Sequence, residues 1–191
     1  MAASKDSDVI SSEFCMDPDQ ILGSCGHDRL STPIGELRLW HRDGHLVLAC
    51  WGEHDSRARA EFRGQSVRGL TQLRQPSSRI GVPEAFAAYF AGQFGALDEI
   101  GLLVGGTPFQ RTVWRALLDI VAGQTSTYRR IAQLIGRPMS PRAVGRANGA
   151  NPLPIAIGCH RILGSDGSLT GYGSGTDRKA WLIEHESAGS R

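Results

Sequence analysis

The chain has 191 residues, 40% of them apolar and 21% charged, enough for one large domain or two small ones with a substantial core. No apolar run approaches the roughly 18 residues of a membrane span, and the opening MAASKDSDVISSEF lacks the basic start and apolar stretch of a signal peptide, so the expected compartment is the cytoplasm. The net charge of +2 is unevenly spread: residues 1–103 hold 10 Lys+Arg against 14 Asp+Glu, giving −4, and residues 104–191 hold 11 against 5, giving +6, so only the second half is expected to face a polyanion.

In chain order, residues 1–28 carry six acids and no clear period and read as a mobile tail. A domain over 29–103 follows. It opens with TPIGELRLWHRDGHLVLACW, two alternating runs joined through Asp43-Gly44, which is a hairpin signal. Residues 55–80 are polar and Arg-rich with little clear structure. In PEAFAAYFAGQF (83–94), apolar residues at 86, 89, 90 and 94 have helical spacing behind a Pro, and a short strand is expected over 100–104.

The third segment, 104–191, opens with TPFQRTVWRALLDI. Thr107 is a fitting N-cap, Pro108 sits well at the first helical position, and Phe109, Val113, Leu117 and Ile120 form one stripe. Beyond Gly123, TYRRIAQLIGRPMSPRAVGRANGANP reads as a helix to about Ile135, a Gly-containing turn, and a second helix capped by Ser140 with Pro141 first. Two short helices so joined are a helix-turn-helix signature. A strand over 155–157, the pair Cys159-His160, a Gly-rich loop, and a helix over 176–186 capped by Thr176 or Asp177 complete the chain.

Several side chains bear on chemistry. The second helix of the pair is built from small residues, among them Ala143 and Gly145, with Arg142 and Arg146 on one face. Each glycine costs up to ~1 kcal/mol in a helix. Either tight helix packing or close approach to a nucleic acid explains them. Cys159 needs a base or a positive field to become a thiolate. His160 adjoins it, but neighbours on a strand point to opposite faces, so contact requires a turn or a bridging water. Glu184 or Glu186 could orient the imidazole. Tyr172 in GYGSG is an unlikely core residue, and its hydroxyl could donate to a substrate oxygen. Asn151, before Pro152, is placed to cap a turn through its side chain. Cys15, Cys25, Cys50 and Cys159 match neither a disulfide framework nor a zinc spacing, and Cys25, His27, His41 and His45 fit no common metal pattern.

Taken together, GTPFQRTVW, TYRRIA, PRAVGRANGANP, CHRI, GSDGSLTGYGSG and RKAWLIEHE, in that order over 104–191, resemble the O6-alkylguanine-DNA alkyltransferases of the stand-alone bacterial type. STPIGELRL and YFAGQF extend the likeness more loosely. The resemblance implies an α+β fold of two domains: a small N-terminal sheet with a helix (RNase H-like), and a C-terminal helical domain with the helix-turn-helix and a short nucleophile turn. It implies a monomer on the minor groove of double-stranded DNA, with Arg142, Ala143, Gly145 and Arg146 at the groove. Tyr128 helps rotate the target nucleotide out of the stack, and Ile162 and Gly173 line the base pocket. Cys159 takes the alkyl group of O6-alkylguanine, or of O4-alkylthymine, irreversibly and once. His160 acts through a water, Glu186 holds His160, Tyr172 serves guanine O6, and Asn151 is the hinge. No cofactor and no metal are implied. A non-transferring damage sensor on the same scaffold is the alternative, and a cysteine hydrolase gives the helix-turn-helix no role. The chain departs from the family at Gly158, where Pro is usual. The change adds unfolded-state freedom worth about 1 kcal/mol and predicts a looser turn and slower transfer.

Overall fold

Asp43 and Gly44 both take positive φ, 50° and 73°, as the two central residues of a tight hairpin turn do. The turn sets the register of β2 (Gly35–Arg42) against β3 (His45–Trp51), with Arg42 opposite His45. The computed structural model describes residues 17–67, 69–169 and 171–188. β1 (Gly26–Thr32) adds antiparallel to β2, β5 (Gly101–Val104) pairs in parallel with β3, and β4 (Thr71–Arg74) closes the far edge, giving the order β1-β2-β3-β5-β4. The centre of the sheet is the most apolar part: His45 apart, all of β3 is buried, and so is all of β5.

Two expectations for the first half are corrected. The tail does not extend to residue 28. Asp17 accepts the Asp19 N–H at 2.8 Å to cap α1 (Pro18–Gly23), whose Ile21 and Leu22 pack with Trp40, Val47, Leu48 and Phe62, and β1 follows. The part over 1–16 lies outside the described residues. The polar stretch 55–80 holds a helix, α2 (Asp55–Ser66), and β4. α2 buries only Phe62 and Ser66, so it has no apolar stripe to betray it. Ion pairs four residues apart, Arg57–Glu61 at 2.9 Å and Arg59–Asp55 at 3.3 Å, support it instead.

α3 (Val82–Phe90) ends sooner than expected, and a 3-10 turn over Phe94–Asp98 carries the rest of that pattern. α4 (Pro108–Leu118) begins with a reciprocal cap: Thr107 Oγ1 accepts the Gln110 N–H at 3.2 Å, and Gln110 Oε1 accepts the Thr107 N–H at 2.8 Å. Then come β6 (Ser126–Thr127), α5 (Tyr128–Leu134), α6 (Pro141–Gly149), β7 (Ile162–Leu163) and α7 (Thr176–Ala188). Ser140 precedes α6 but its side chain makes no capping bond, and Thr176 is the first residue of α7 rather than its cap. One apolar cluster runs from Leu37 of the sheet through Trp114 and Val144 to Leu182 of α7. Among the described residues no helix is long and apolar enough to cross a membrane.

Candidate active site and nucleic-acid face

The expected strand over 155–157 is a turn. Asn151 is the cause: its Oδ1 accepts the Leu153 N–H at 3.0 Å and its Nδ2 donates to the Ile157 carbonyl at 3.1 Å. One side chain thus holds both ends of the bend, and Ile155 takes φ 73° within it. A buried β-branched residue in that region costs on the order of 1–3 kcal/mol, which the packing of Leu153, Ile155 and Ile157 in the core offsets. Gly158 follows at φ −67°, ψ 48°, with the Cys159 N–H reaching back to the Ile157 carbonyl at 2.6 Å. This is an inverse γ-turn, and it feeds the 3-10 turn Cys159–Arg161. Arg161 lies over Gly158: a Cβ built there would stand 2.8 Å from its Cδ.

The turn sends Cys159 and His160 to different neighbours. Cys159 is buried, and burial raises its thiol pKa above the ordinary value; hydrogen bonding by Asn151 and the charges of Lys179 and Arg161 pull the other way without winning. His160 is fully buried, and its Nε2 donates to Glu186 Oε1 at 2.8 Å. Its Nδ1, also buried, has no partner among the described residues. Burial lowers the pKa of His160 against the pull of Glu186, so the ring is neutral at neutral pH. Glu186, not the exposed Glu184, is the orienter. Burial by itself would raise the Glu186 pKa, but hydrogen bonds from His160 and Arg161 hold it well below the usual carboxylate range.

Glu186 has further donors that the sequence does not announce: Tyr89 Oη at 2.7 Å, the Gly123 N–H at 3.2 Å, and Arg161 through Nη2 at 2.8 Å and Nε at 3.0 Å. Arg161 supplies the permanent counter-charge, so the imidazole need not be protonated. Lys179, equally silent in the sequence, is buried in α7 and donates to the Ile162 carbonyl at 2.5 Å. Tyr89 sits in the apolar stripe of α3, where periodicity marks it as core and nothing local marks it as polar.

Ser126 and Thr127 pair in parallel with Ile162 and Leu163, which fixes the start of α5 beside the residues that follow the nucleophile. Tyr128 is therefore brought near Cys159; burial first, then the thiol, raise its pKa. Its ring faces Gly145 of α6, and its hydroxyl lies against Gly171: Cβ atoms there would stand 3.7 Å and 2.8 Å away. Tyr172 is pushed well above its ordinary pKa by burial, so its hydroxyl keeps its proton. That hydroxyl lies beside Trp51 and Ser174 without a well-formed bond to a protein group. Gly173 follows in the same turn, and Ile162 is buried at the start of β7.

α5 and α6 form the expected helix-turn-helix. Gly136, at φ 69°, ends the first helix, and the Arg137 N–H bonds to the Ala132 carbonyl at 2.8 Å. Trp114 Nε1 donates to the Ala147 carbonyl at 2.9 Å and fastens α6 to α4. The inner face of α6 is Val144, Ala147 and Asn148; Arg142, Arg146 and Gly149 are exposed, with Ala143 and Gly145 half-buried. A Cβ at Gly149 would meet nothing, and one at Gly145 only an ordinary contact. Packing inside the protein thus does not require these glycines. Arg129, Arg130, Arg137, Arg142 and Arg146 make no ion pair or side-chain hydrogen bond among the described residues.

The histidines near the hairpin are engaged separately: His41 with Asp28 at 2.6 Å, His27 stacked on Trp40, and His45 with the Asp43 carbonyl at 2.9 Å. Among the described residues no group of three or more His, Cys, Asp or Glu side chains is placed to hold a metal ion.

Comparison with known proteins identifies the family. Residues 108–188 match the family described as 6-O-methylguanine DNA methyltransferase, DNA binding domain. The methylated-DNA–protein-cysteine methyltransferase of Salmonella typhimurium is 50% identical over 164 residues, covering 83% of this chain and 94% of that one. The crystal structure of the Mycobacterium tuberculosis O6-methylguanine methyltransferase superposes with a TM-score of 0.67 at 36% identity, over 86% of this chain and 93% of that one. Mycobacterium tuberculosis OGT in complex with DNA gives 0.65 at 33% identity, over 85% and 93%. The chain belongs to the methylated-DNA–protein-cysteine methyltransferase family.

Proposed function

We propose that this protein repairs duplex DNA by moving the alkyl group of O6-alkylguanine, and of O4-alkylthymine, onto Cys159, once per chain. The observation that carries the reading is the use of His160. Its Nε2 is bonded to an ionised Glu186, while its buried Nδ1, one residue from the thiol, has no partner among the described residues. A neutral imidazole so oriented is a base waiting for a proton.

In the proposed reaction a water carries the Cys159 proton to His160 Nδ1. The sulfur attacks the alkyl carbon, a C–S bond forms, and the C–O6 bond breaks with its electron pair left on O6. Tyr172, which keeps its proton, hydrogen-bonds that oxygen with help from the Gly173 N–H, and the proton held by His160 returns to the base. A thioether does not hydrolyse, so the chain is consumed. Asn151 is the hinge that joins α6 to the nucleophile turn.

DNA is the partner, and we place α6 in its minor groove. Arg142 enters the stack in place of the target base, Tyr128 crowds the target phosphate, and Ala143, Gly145 and Arg146 lie along the groove. The exposed arginines and the glycines that packing leaves free support this placement. The proposed chemistry needs no group from a second copy, so we read the protein as acting as a monomer. A damage sensor needs no oriented base beside a cysteine, so transfer is favoured over sensing. Cys159→Ala tests the assignment. It should bind duplex carrying O6-methylguanine with affinity close to that of the parent protein and take up no labelled methyl group; uptake of label by the variant would overturn the role of Cys159.

A further inference from the structure

Arg178, on the first turn of α7, spends its whole guanidinium between two parts of the chain. Nη1 donates to the Ser174 carbonyl at 3.0 Å, in the loop that carries Tyr172. Nε donates to the Ile34 carbonyl in the β1–β2 turn at 2.9 Å, and Nη2 pairs with Glu53 Oε1 at 2.5 Å, just past β3. The guanidinium plane also lies over the Trp51 ring, 4.6 Å from its centroid. Trp51 is fully buried, and its indole N–H, like the Tyr172 hydroxyl beside it, has no well-formed protein partner. The loop 171–175 has no regular secondary structure of its own to aim a side chain. A rigid fork with fixed donors supplies what the loop lacks.

We propose that Arg178 is a positioning residue for alkyl transfer: it locks the Tyr172 loop onto the N-terminal sheet, so the sheet, through Trp51, Ile34 and Glu53, sets where the Tyr172 hydroxyl points. The N-terminal domain is then part of the reacting site although it supplies no group that touches the base. This inference rests on the role proposed above for Tyr172.

The test is single-turnover methyl transfer from O6-methylguanine duplex at saturating DNA, on the full chain. Arg178→Ala should transfer at least tenfold more slowly while its affinity for undamaged duplex stays within twofold. Arg178→Lys, which keeps the charge but loses the fork, should recover little of the rate. The deciding readout is the pair with Tyr172→Phe: in that background Arg178→Ala should slow transfer by less than twofold more. Multiplying effects would overturn the proposal, as would a parent-like rate for Arg178→Ala. If Arg178→Ala fails to fold, Glu53→Gln weakens one of the two sheet-side anchors, leaves the Ile34 carbonyl in place, and should show a smaller rate loss with the same dependence on Tyr172, vanishing in Tyr172→Phe. A parent protein that transfers no methyl group overturns the proposed function itself; a parent that transfers while the Arg178 variants match it overturns only this inference.

Discussion

At the scale of single residues the site turns on how several groups share one carboxylate. Glu186 accepts from Tyr89, His160, Arg161 and the Gly123 N–H, and its charge is balanced by Arg161, which cannot lose its proton. His160 is thereby free to stay neutral, its pKa below the ordinary 6.5 because it is buried. The sign follows. A lowered histidine pKa keeps the base in its working form through pH 6.5, while burial keeps the Cys159 thiol protonated above its ordinary 9.0. The transfer rate should be level between pH 6.5 and 9 and fall only below 6.5; a stopped-flow profile that is already half lost at 6.5 would contradict this. Unfolded His160 takes up a proton below 6.5 before the folded residue does, so stability contributed by this group is present above 6.5 and lost as pH falls beneath it. Gly158 is the second residue-scale case. Its φ of −67° already suits a proline ring, which would favour Gly158→Pro by about 1 kcal/mol through the unfolded chain. Arg161 opposes this, since a Cβ would stand 2.8 Å from its Cδ while its guanidinium is held by Glu186 and the Ile120 carbonyl. The Arg161 side chain must shift by a few tenths of an ångström to make room, which offsets part of the gain, so Gly158→Pro should raise the melting temperature less in the parent than in Arg161→Ala. An equal rise in both backgrounds on thermal denaturation would show that Arg161 does not press on this position.

At the scale of elements, α6 presents Arg142, Gly145, Arg146 and Gly149 at helical spacing on its outer side while Trp114 fixes its inner side. Gly149→Ala adds a methyl group into open space. The protein should gain up to ~1 kcal/mol from helix propensity, roughly 2–4 °C in melting temperature for a chain this size, and bind duplex more weakly because the methyl stands toward the groove. Unchanged affinity in a titration would mean that this end of α6 does not approach DNA. The elements differ in how far the sequence announces them. The hairpin, α4 and the helix-turn-helix are legible because Asp43-Gly44, Thr107-Pro108 and Gly136 carry their own turn and cap chemistry. α2 is not, since it buries one large side chain and leans on ion pairs rather than on an apolar stripe. The nucleophile turn is hidden for the opposite reason: Ile-Ala-Ile reads as a strand, and only the tertiary reach of Asn151 bends it.

At the scale of the whole molecule, the acidic first half and basic second half divide the labour. The second half carries Cys159, His160 and the free arginines. The first half lends Tyr89 to Glu186 and, through Arg178, its sheet to the Tyr172 loop. The family, and the pair proposed to react, are readable from CHRI and PRAVGRANGANP. The contributions of Tyr89, Lys179 and Arg178 are not, because each depends on a partner that only the fold brings near. As proposed, the chain is both transferase and acceptor. Intact-mass measurement after incubation with an excess of O6-methylguanine duplex is the most direct test of this. The expected result is a gain of one methyl group per chain, mapped to Cys159, with repaired DNA equal to protein. An unchanged mass, or repaired DNA in excess of protein, would contradict it.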